Sequence, residues 1–233
     1  MQISVILLAI VLAVSAAKPS GAVALPGEAP LQVTNAASQG LQSWLNLIPP
    51  KEINEYGFYH TSEFRKANPG NPIEVFYLRA SSVRTYNGDN LSLLQLPSAR
   101  RWVIPVIVDG RIRTLLTVAG DGMSFKVVRI GEAGVANQLN SILGHPYARN
   151  GKAAVRLVKV LGERSYSDFI LLGATESDTR LIPLQSARTA FSLKTSDIYT
   201  QDASYPSRQV LRSAKEVLLL MKQNILEMDH EKK

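Results

Sequence analysis

Three arginines and one acid lie in the otherwise mostly apolar stretch RWVIPVIVDGRIRTLLTVAG, which covers residues 101–120. Its three arginines could hold an anion, because a guanidinium donates paired N–H bonds to a carboxylate or a phosphate. Its one acid, Asp109, is either a catalytic group or the first residue of a turn. The residues predicted to bind a ligand are Arg101, Trp102, Arg111 and Arg113. No catalytic residue is predicted in the chain.

Asp109 and Gly110 favour the turn. Asp-Gly between two alternating runs is a strong hairpin signal, because a type I′ turn needs a positive φ at both central residues. If pairing starts beside the turn and continues without a bulge, Trp102 lies opposite Thr117. One face of this hairpin is then almost wholly apolar and is predicted to face the core. It carries Val103, Pro105, Ile107, Ile112, Thr114, Leu116 and Val118. The other face becomes basic toward the tip.

Pro105 constrains the first strand of this hairpin. A proline lacks the N–H that a ladder hydrogen bond needs, so residues 102–108 are predicted to form an edge strand or a bulged strand. An edge beside basic groups could accept a further strand from a peptide. Proline at an edge also prevents such pairing, and this protective role is the alternative that we favour on general grounds.

The remaining ionisable residues do not form a recognisable catalytic set. His60, His145 and His230 are scattered, and His145 is interpreted as a loop residue. The short motifs of hydrolases, metalloproteases and nucleotide-binding proteins are lacking. No cofactor or metal is predicted. Asn87 and Asp89 offer oxygens to a calcium ion, but without the further carboxylates of an EF-hand they are interpreted as a turn.

Composition excludes several classes of site and partner. The 233 residues contain no cysteine, which excludes disulfides and thiolate chemistry. Twenty-six Lys and Arg against 19 Asp and Glu give a formal net charge of +7, which favours acidic partners. Aromatic residues make up only 7% of the chain, so the stacking platform of a nucleic-acid groove is not expected. The expected partner is a protein or an anionic polymer of the cell envelope, not a specific nucleic acid.

The first 24 residues have the layout of a secretory signal peptide. An uncharged apolar run from Ile3 to Val14 precedes small residues, with cleavage expected after Ala16, Ala17 or Ala24. The run is shorter than the roughly 20 residues that span a bilayer. A buried N-terminal helix and an uncleaved anchor are the alternatives. The mature chain is expected to be exported to the periplasm or the extracellular space, without an integral membrane span.

Hydrophobic periodicity predicts the elements that position these residues. Helices are predicted at 36–47, at 133–143 and from Ser207 to near the C-terminus, with a single helical turn at 61–66. Strands are predicted at 73–78, 102–108, 111–118, 124–130, 155–161, 169–172, 180–184 and 189–193. A further hairpin is predicted to join 78–83 to 91–96.

The C-terminal helix carries more apolar surface than one stripe needs. The stripe itself consists of Leu211, Ala214, Leu218, Met221, Ile225 and Met228. Val217, Leu219 and Leu220 widen this face, and Ser207 is the predicted cap. The helix is therefore expected to pack against a sheet or against another chain, which leaves an oligomer formed through this helix open.

These elements predict one α+β domain over residues 25–233. It consists of an antiparallel sheet of meanders and hairpins, covered by helices that include the long C-terminal one. A weak repeat, SLLQLPSAR at 92–100 and RLIPLQSAR at 180–188, leaves open two strand-rich halves at about 31–146 and 152–230. In layout alone, the arrangement resembles the cystatin-like and PepSY-like exported domains, and no residue motif of either family is present.

Three functions remain open at this level. The first is a non-enzymatic binding module of the cell envelope, which holds a peptide or an anionic polymer at the edge strand and the basic hairpin tip. The second is a protease inhibitor or a propeptide-like chaperone that acts by strand addition. The third is a hydrolase with an unfamiliar site. A closed cleft that encloses His145 or several carboxylates would favour the enzyme, and an open sheet edge would favour the binding module.

Overall fold

The computed structural model describes residues 31–88, 100–120, 124–144, 154–162, 166–173, 178–201 and 209–230. Several sequence predictions lie outside these ranges: the signal peptide, the strand at 91–96, the first repeat copy up to residue 99, His145 and Ser207. No helix in the described ranges is long and apolar enough to cross a membrane.

The first described element is a helix, α1, at Leu31–Leu45. The predicted helix at 36–47 has the right type, but it begins too late because its buried stripe already starts at Val33. From there the stripe continues every fourth residue through Ala37 and Leu41. Two 3₁₀ helices follow at Pro50–Glu52 and Thr61–Lys66, and the second confirms the predicted helical turn.

Most strands belong to one mixed sheet. These strands are β1 Asn68–Pro69, β2 Ile73–Arg79, β3 Arg101–Val108, β4 Arg111–Gly120, β5 Phe125–Gly131, β6 Val155–Leu161, β7 Tyr166–Leu172 and β8 Arg180–Pro183. Their order is β5-β4-β3-β2-β6-β7-β8, with β1 beside β3. All neighbours are antiparallel except β2 and β6, which run parallel, so the prediction of a purely antiparallel sheet is wrong. The parallel pair is possible because the chain crosses over between β5 and β6, as parallel strands require.

The remaining described elements are short except for two helices. They are α2 Ala80–Thr85, α3 Ala133–Leu143, α4 Gln185–Ala190, α5 Thr195–Ile198, β9 Tyr199–Gln201, β10 Gln209–Leu211 and α6 Ala214–His230. The strand predicted at 78–83 is wrong, because α2 begins directly after Arg79. Val83 is buried as part of this helix. The strand predicted at 189–193 is also wrong, because α4 extends to Ala190.

β3 lies inside the sheet, so the predicted edge position of residues 102–108 is wrong. Its side away from β4 is paired by β1 and by β2. Pro105 lies at the gap between these two pairings, where its carbonyl oxygen accepts a 2.7 Å hydrogen bond from the Gly70 N–H. The nitrogen and carbonyl of one strand residue face the same side, so the missing N–H faces the gap. An interior strand tolerates this proline because its partner is interrupted there.

The predicted turn of the β3–β4 hairpin is confirmed, whereas the bulge lies in β4 and not in the strand 102–108 for which it was predicted. Asp109 and Gly110 have φ angles of 48° and 76°, as a type I′ turn requires. The two pairs beside the turn form as predicted, and the register then shifts, which leaves Arg113 as the extra residue. Beyond this bulge the predicted pairs are wrong by one residue, so Trp102 lies opposite Val118.

Both faces of the hairpin are buried, so the prediction of a single core face is wrong. On one face, the side chains that pack with α1 are Trp102, Ile104, Val106, Val108, Leu116 and Val118. On the other face, the side chains that pack with α3 are Val103, Ile112 and Leu115. Because helices pack on both sides of these strands, the sequence of the hairpin does not alternate as it would with one face in water.

The C-terminal helix α6 packs against the other half of the sheet. Val217, Leu218 and Met221 are buried in a cluster that includes Phe169 of β7 and Phe76 of β2. Leu219 and Leu226 remain 37% and 42% exposed. Of the predicted stripe, Leu218, Met221 and Ile225 are buried in this cluster, whereas Leu211 lies in β10. An oligomer formed through this helix stays a prediction.

α6 begins at Ala214 because Ser213 and Glu216 form a capping box. The Ser213 hydroxyl accepts a hydrogen bond from the Glu216 N–H at 3.3 Å and donates one to Glu216 Oε2 at 2.8 Å. The Ser213 N–H donates to the same carboxylate oxygen at 2.8 Å. The hydrogen bond from the Ser213 side chain is the main cause that lowers the pKa of Glu216 below its ordinary value of 4.5. The helix predicted from Ser207 is wrong at Gln209–Leu211, which form β10.

Replacing Ser213 with alanine tests this cap. We expect Ser213→Ala to lower the free energy of unfolding by about 1 kcal/mol at neutral pH. Because the folded-state pKa of Glu216 is lowered, its stabilisation is present above pH 4.5 and is lost as the pH falls through that lower pKa. Urea unfolding at neutral and acidic pH measures the change, with the exposed Ser81→Ala in α2 as the control. An equal loss in Ser213→Ala at both pH values would contradict the role of the carboxylate.

Replacing Asp109 tests the turn. We expect Asp109→Asn to change the free energy of unfolding by less than about 0.5 kcal/mol, because Asn-Gly forms the same turn. The 3.4 Å ion pair of Asp109 with Lys66 is exposed on both sides and adds little. Asp109→Val is the contrasting variant and should cost more than about 1 kcal/mol, because a β-branched residue is strained at positive φ. Similar urea midpoints for both variants would argue against the turn geometry.

Candidate functional site

The four residues predicted to bind a ligand do not lie together. Arg101 and Arg111 are exposed at opposite ends of the hairpin. They are roughly 20 Å apart at about 3.3 Å per strand residue. Trp102 is buried and packs edge-to-face on Phe125, with the ring centroids 5.3 Å apart. Arg113 is turned away from solvent into an ion pair. Of the four, Arg111 is the one that is exposed at the hairpin tip.

Arg113 attaches the second 3₁₀ helix to the hairpin. Its Nη2 lies 2.7 Å from Glu63 Oε1, and the two side chains are only 14% and 12% exposed. The guanidinium carbon lies 4.6 Å from the centre of the Tyr59 ring. The second oxygen of Glu63 accepts hydrogen bonds from the Tyr59 and His60 N–H groups. Arg113 therefore has a structural partner and is not part of a basic tip.

The bulge in β4 explains the position of Arg113. An extra residue in a strand locally re-aims its side chain and increases the twist. The loop before the second 3₁₀ helix lies directly on this bulge, because a Cβ at Gly57 would overlap the Arg113 carbonyl oxygen. Gly57 also has a φ of 84°, which favours glycine.

The open edge in the described part of the sheet is β5 instead of β3. β5 pairs with β4 on one side, and no described strand pairs with its other side. At the opposite end of the sheet, the outer side of β8 is partly occupied. There Arg180 forms a β-bridge with Ser213, and the Ala214 N–H donates to the Thr179 carbonyl at 3.0 Å. The described sheet therefore has an open edge of the kind that favours a binding module, but this edge is β5 and not the predicted β3.

The β5 edge is basic. Lys126, Val128 and Arg129 are exposed along it. Arg129 lies 3.1 Å from Glu132 in a pair that leaves its side chain 63% exposed. Lys126 makes no ion pair with any residue in the described ranges. Val128 is the extra residue where the β4–β5 register shifts. The edge thus combines strand backbone with two cations and an exposed aliphatic side chain.

A cleft of about 280 Å³ lies between α3 and the segment that runs from β8 into α4. Its polar lining consists of Gln138, Ser141, Gln185, Arg188 and Tyr199. Its apolar lining consists of Ile142, Ile182, Pro183, Leu184 and Leu211. No Asp or Glu is among these described lining residues. The cleft therefore lacks the carboxylates that would favour an enzyme.

A nearly buried network of charges joins α4 to the sheet. Lys159 Nζ lies 2.8 Å from Asp168 Oδ1 and 3.6 Å from Glu132 Oε1. Ser186 of α4 donates to Asp168 Oδ2 at 3.2 Å and accepts the Asp168 N–H at 2.9 Å. Glu132 precedes α3 and has a left-handed φ of 63°. Lys159 between two carboxylates thus links the start of α3, two strands and α4.

Sequence reasoning missed this network, although its signal was present. In VRLVKVL, Lys159 falls on the same face as Leu157, which is fully buried. In YSDFILL, Asp168 likewise shares a face with the buried Ile170. A charge in a core position needs a partner of opposite charge. Two such positions in consecutive predicted strands indicate a cross-strand pair.

Neither a cluster of possible metal ligands nor a similarity to a known protein points to a site in the described residues. In the ranges that the structure describes, no group of three or more His, Cys, Asp or Glu residues could hold a metal ion. Asp89 of the calcium alternative lies outside those ranges. No family model, curated protein or solved structure matches the chain. The function must therefore be inferred from the geometry of the chain itself.

Two matched arginine variants test the structural role of Arg113. We expect Arg113→Ala to lower the free energy of unfolding by about 2 kcal/mol, because it leaves the Glu63 carboxylate nearly buried without its cation. Arg111→Ala removes an exposed arginine two residues away and should cost less than about 0.5 kcal/mol. Urea unfolding of both variants measures the difference. Equal losses of unfolding free energy in both variants would show that the Arg113–Glu63 pair does not stabilise the fold.

Proposed function

We propose that the protein is an exported, non-enzymatic binding module of the cell envelope that pairs an extended acidic peptide with the edge of β5. The observation that carries this proposal is the outer side of β5, which no described strand pairs and which exposes Lys126 and Arg129. Strand addition gives affinity through main-chain hydrogen bonds, and flanking side chains give selectivity. Two flanking cations select acidic side chains.

The sequence supports the exported location and the charge of the partner. The apolar run from Ile3 to Val14 followed by small residues is typical of a signal peptide. A formal net charge of +7 raises the local concentration of acidic partners. The attraction between exposed charges is screened over about 10 Å at 0.1 M salt, so binding should weaken as salt is added.

The geometry favours a peptide over an anionic polymer held at the hairpin tip. A polymer site needs several free cations close together, but Arg113 is paired with Glu63 at 2.7 Å. Arg101 lies at the far end of the hairpin and donates to the Tyr77 hydroxyl at 3.4 Å. Arg111 is then the one predicted arginine at the tip. At β5, by contrast, unpaired strand backbone occurs beside the exposed Lys126 and beside Arg129, whose side chain stays 63% exposed in its pair with Glu132.

A labelled peptide of eight alternating Glu and Val residues provides the test. Fluorescence anisotropy should show saturable binding that weakens with salt. We expect Lys126→Glu to weaken binding about fivefold, the size of an exposed charge interaction of about 1 kcal/mol. Arg111→Glu is the matched control, because it reverses an exposed arginine that is not on β5, and it should leave binding within about twofold.

A backbone-modified peptide separates strand addition from simple charge attraction. The same peptide with N-methyl groups on alternate residues keeps its charge but loses main-chain donors, so it should not bind measurably. Equal binding of the methylated peptide would refute strand addition. If Arg111→Glu weakens binding more than Lys126→Glu does, the site lies at the hairpin tip and not at β5. Dextran sulfate that binds more tightly than the peptide would identify an anionic polymer as the partner.

A further inference from the structure

The cleft beside α4 contains an oriented cation without an anionic partner. The Nε of Arg188 donates to the Pro183 carbonyl at 3.3 Å, which restricts the orientation of the guanidinium. Its two terminal nitrogens make no hydrogen bond or ion pair with any residue in the described ranges. No described acid lines the cleft. The terminal N–H groups of the Arg188 guanidinium can therefore bind a carboxylate with two parallel hydrogen bonds.

The rest of the cleft is suited to an apolar tail. Ile142 of α3, Ile182 of β8 and Leu184 form part of its wall, with Leu211 of β10 beside them. The volume of about 280 Å³ corresponds to about nine water-sized groups at about 30 Å³ each. This is room for a carboxylate of about eight carbons in all. Ligand sites in proteins commonly combine such an apolar wall with a few polar groups.

The cleft is held open by contacts that do not involve Arg188. The Gln185 N–H at the start of α4 donates to Gln138 Oε1 of α3 at 2.7 Å, which fixes the distance between the two helices. Behind α4, Ser186 is hydrogen-bonded to Asp168 at 3.2 Å. The position of α4 is therefore set by Gln185 and Ser186, so Arg188 can be substituted without moving this helix.

We propose that this cleft binds a medium-chain carboxylate, with Arg188 holding the carboxylate and the aliphatic wall enclosing the chain. The site is separate from the β5 edge and does not depend on the function proposed for it. Tyr199 and Ser141 are among the residues that line the cleft, and both carry a hydroxyl group. A hydroxyl can donate a further hydrogen bond to a carboxylate oxygen.

Titration calorimetry with octanoate, octanol and acetate tests the proposal on the full chain. Octanoate should bind saturably, and both octanol, which lacks the charge, and acetate, which lacks the chain, should bind at least about tenfold more weakly. Arg188→Gln should weaken octanoate binding about tenfold or more and leave octanol unchanged. Arg111→Gln is the matched control and should bind octanoate like the wild type.

A second variant protects the test against misfolding of the first. Ser141→Trp places a large ring at the exposed mouth of the cleft and should abolish octanoate binding with the core intact, as judged by circular dichroism and the melting temperature. Amide chemical shifts should change at Gln138 and Gln185 when octanoate is added to the wild type. Failure of octanoate to bind, or equal binding by Arg188→Gln, would overturn the proposal. Neither outcome affects the peptide assay at β5.

Discussion

β2 and β6 run parallel over six residue pairs, and both cores of this region depend on that contact. On one face, Phe76 and Val158 enter the cluster that packs α6. On the other face, Val75 and Leu157 enter the cluster that packs α3. Strands buried on both faces read as nearly continuous apolar runs, as VRLVKVL does. This contact joins a first meander, β2 to β5, to a second meander, β6 to β8. The two meanders therefore cannot separate without exposing hydrophobic surface on both sides of the sheet.

Local sequence patterns predict most elements. The apolar spacing from 133 to 143 predicts α3 with its observed bounds, because a helix buried on one side leaves a periodic pattern. The β-branched and aromatic content of IEVFYL predicts nearly all of β2. Pairing between distant strands leaves no such pattern. Pro105 indicates an interrupted ladder correctly, but the interruption comes from the gap between β1 and β2. A proline lacks an N–H, and this is tolerated both at a sheet edge and beside a gap between two partner strands. The sequence alone therefore cannot distinguish the two positions.

The candidate sites were harder to predict than the fold, because a charge acquires its role from distant residues. Arg111 and Arg113 are equivalent in the sequence, yet Glu63, fifty positions away, pairs with one and not the other. The cleft likewise depends on α3 meeting α4 through Gln138 and Gln185, 47 positions apart. What the sequence could have indicated is the capping box at Ser213 and the two charges in core positions of β6 and β7. Their signals are local.

The parallel pair also affects how the chain folds. Glu74 pairs with Arg156 only after the chain between them has been synthesised. Contacts between such distant residues slow folding, because the entropy of closing the loop is lost before the contact can stabilise the chain. Until β6 arrives, the β2 side of the first meander is an unpaired apolar edge, which is the kind of surface that associates with other chains. An early-folded N-terminal meander would thus be prone to aggregation.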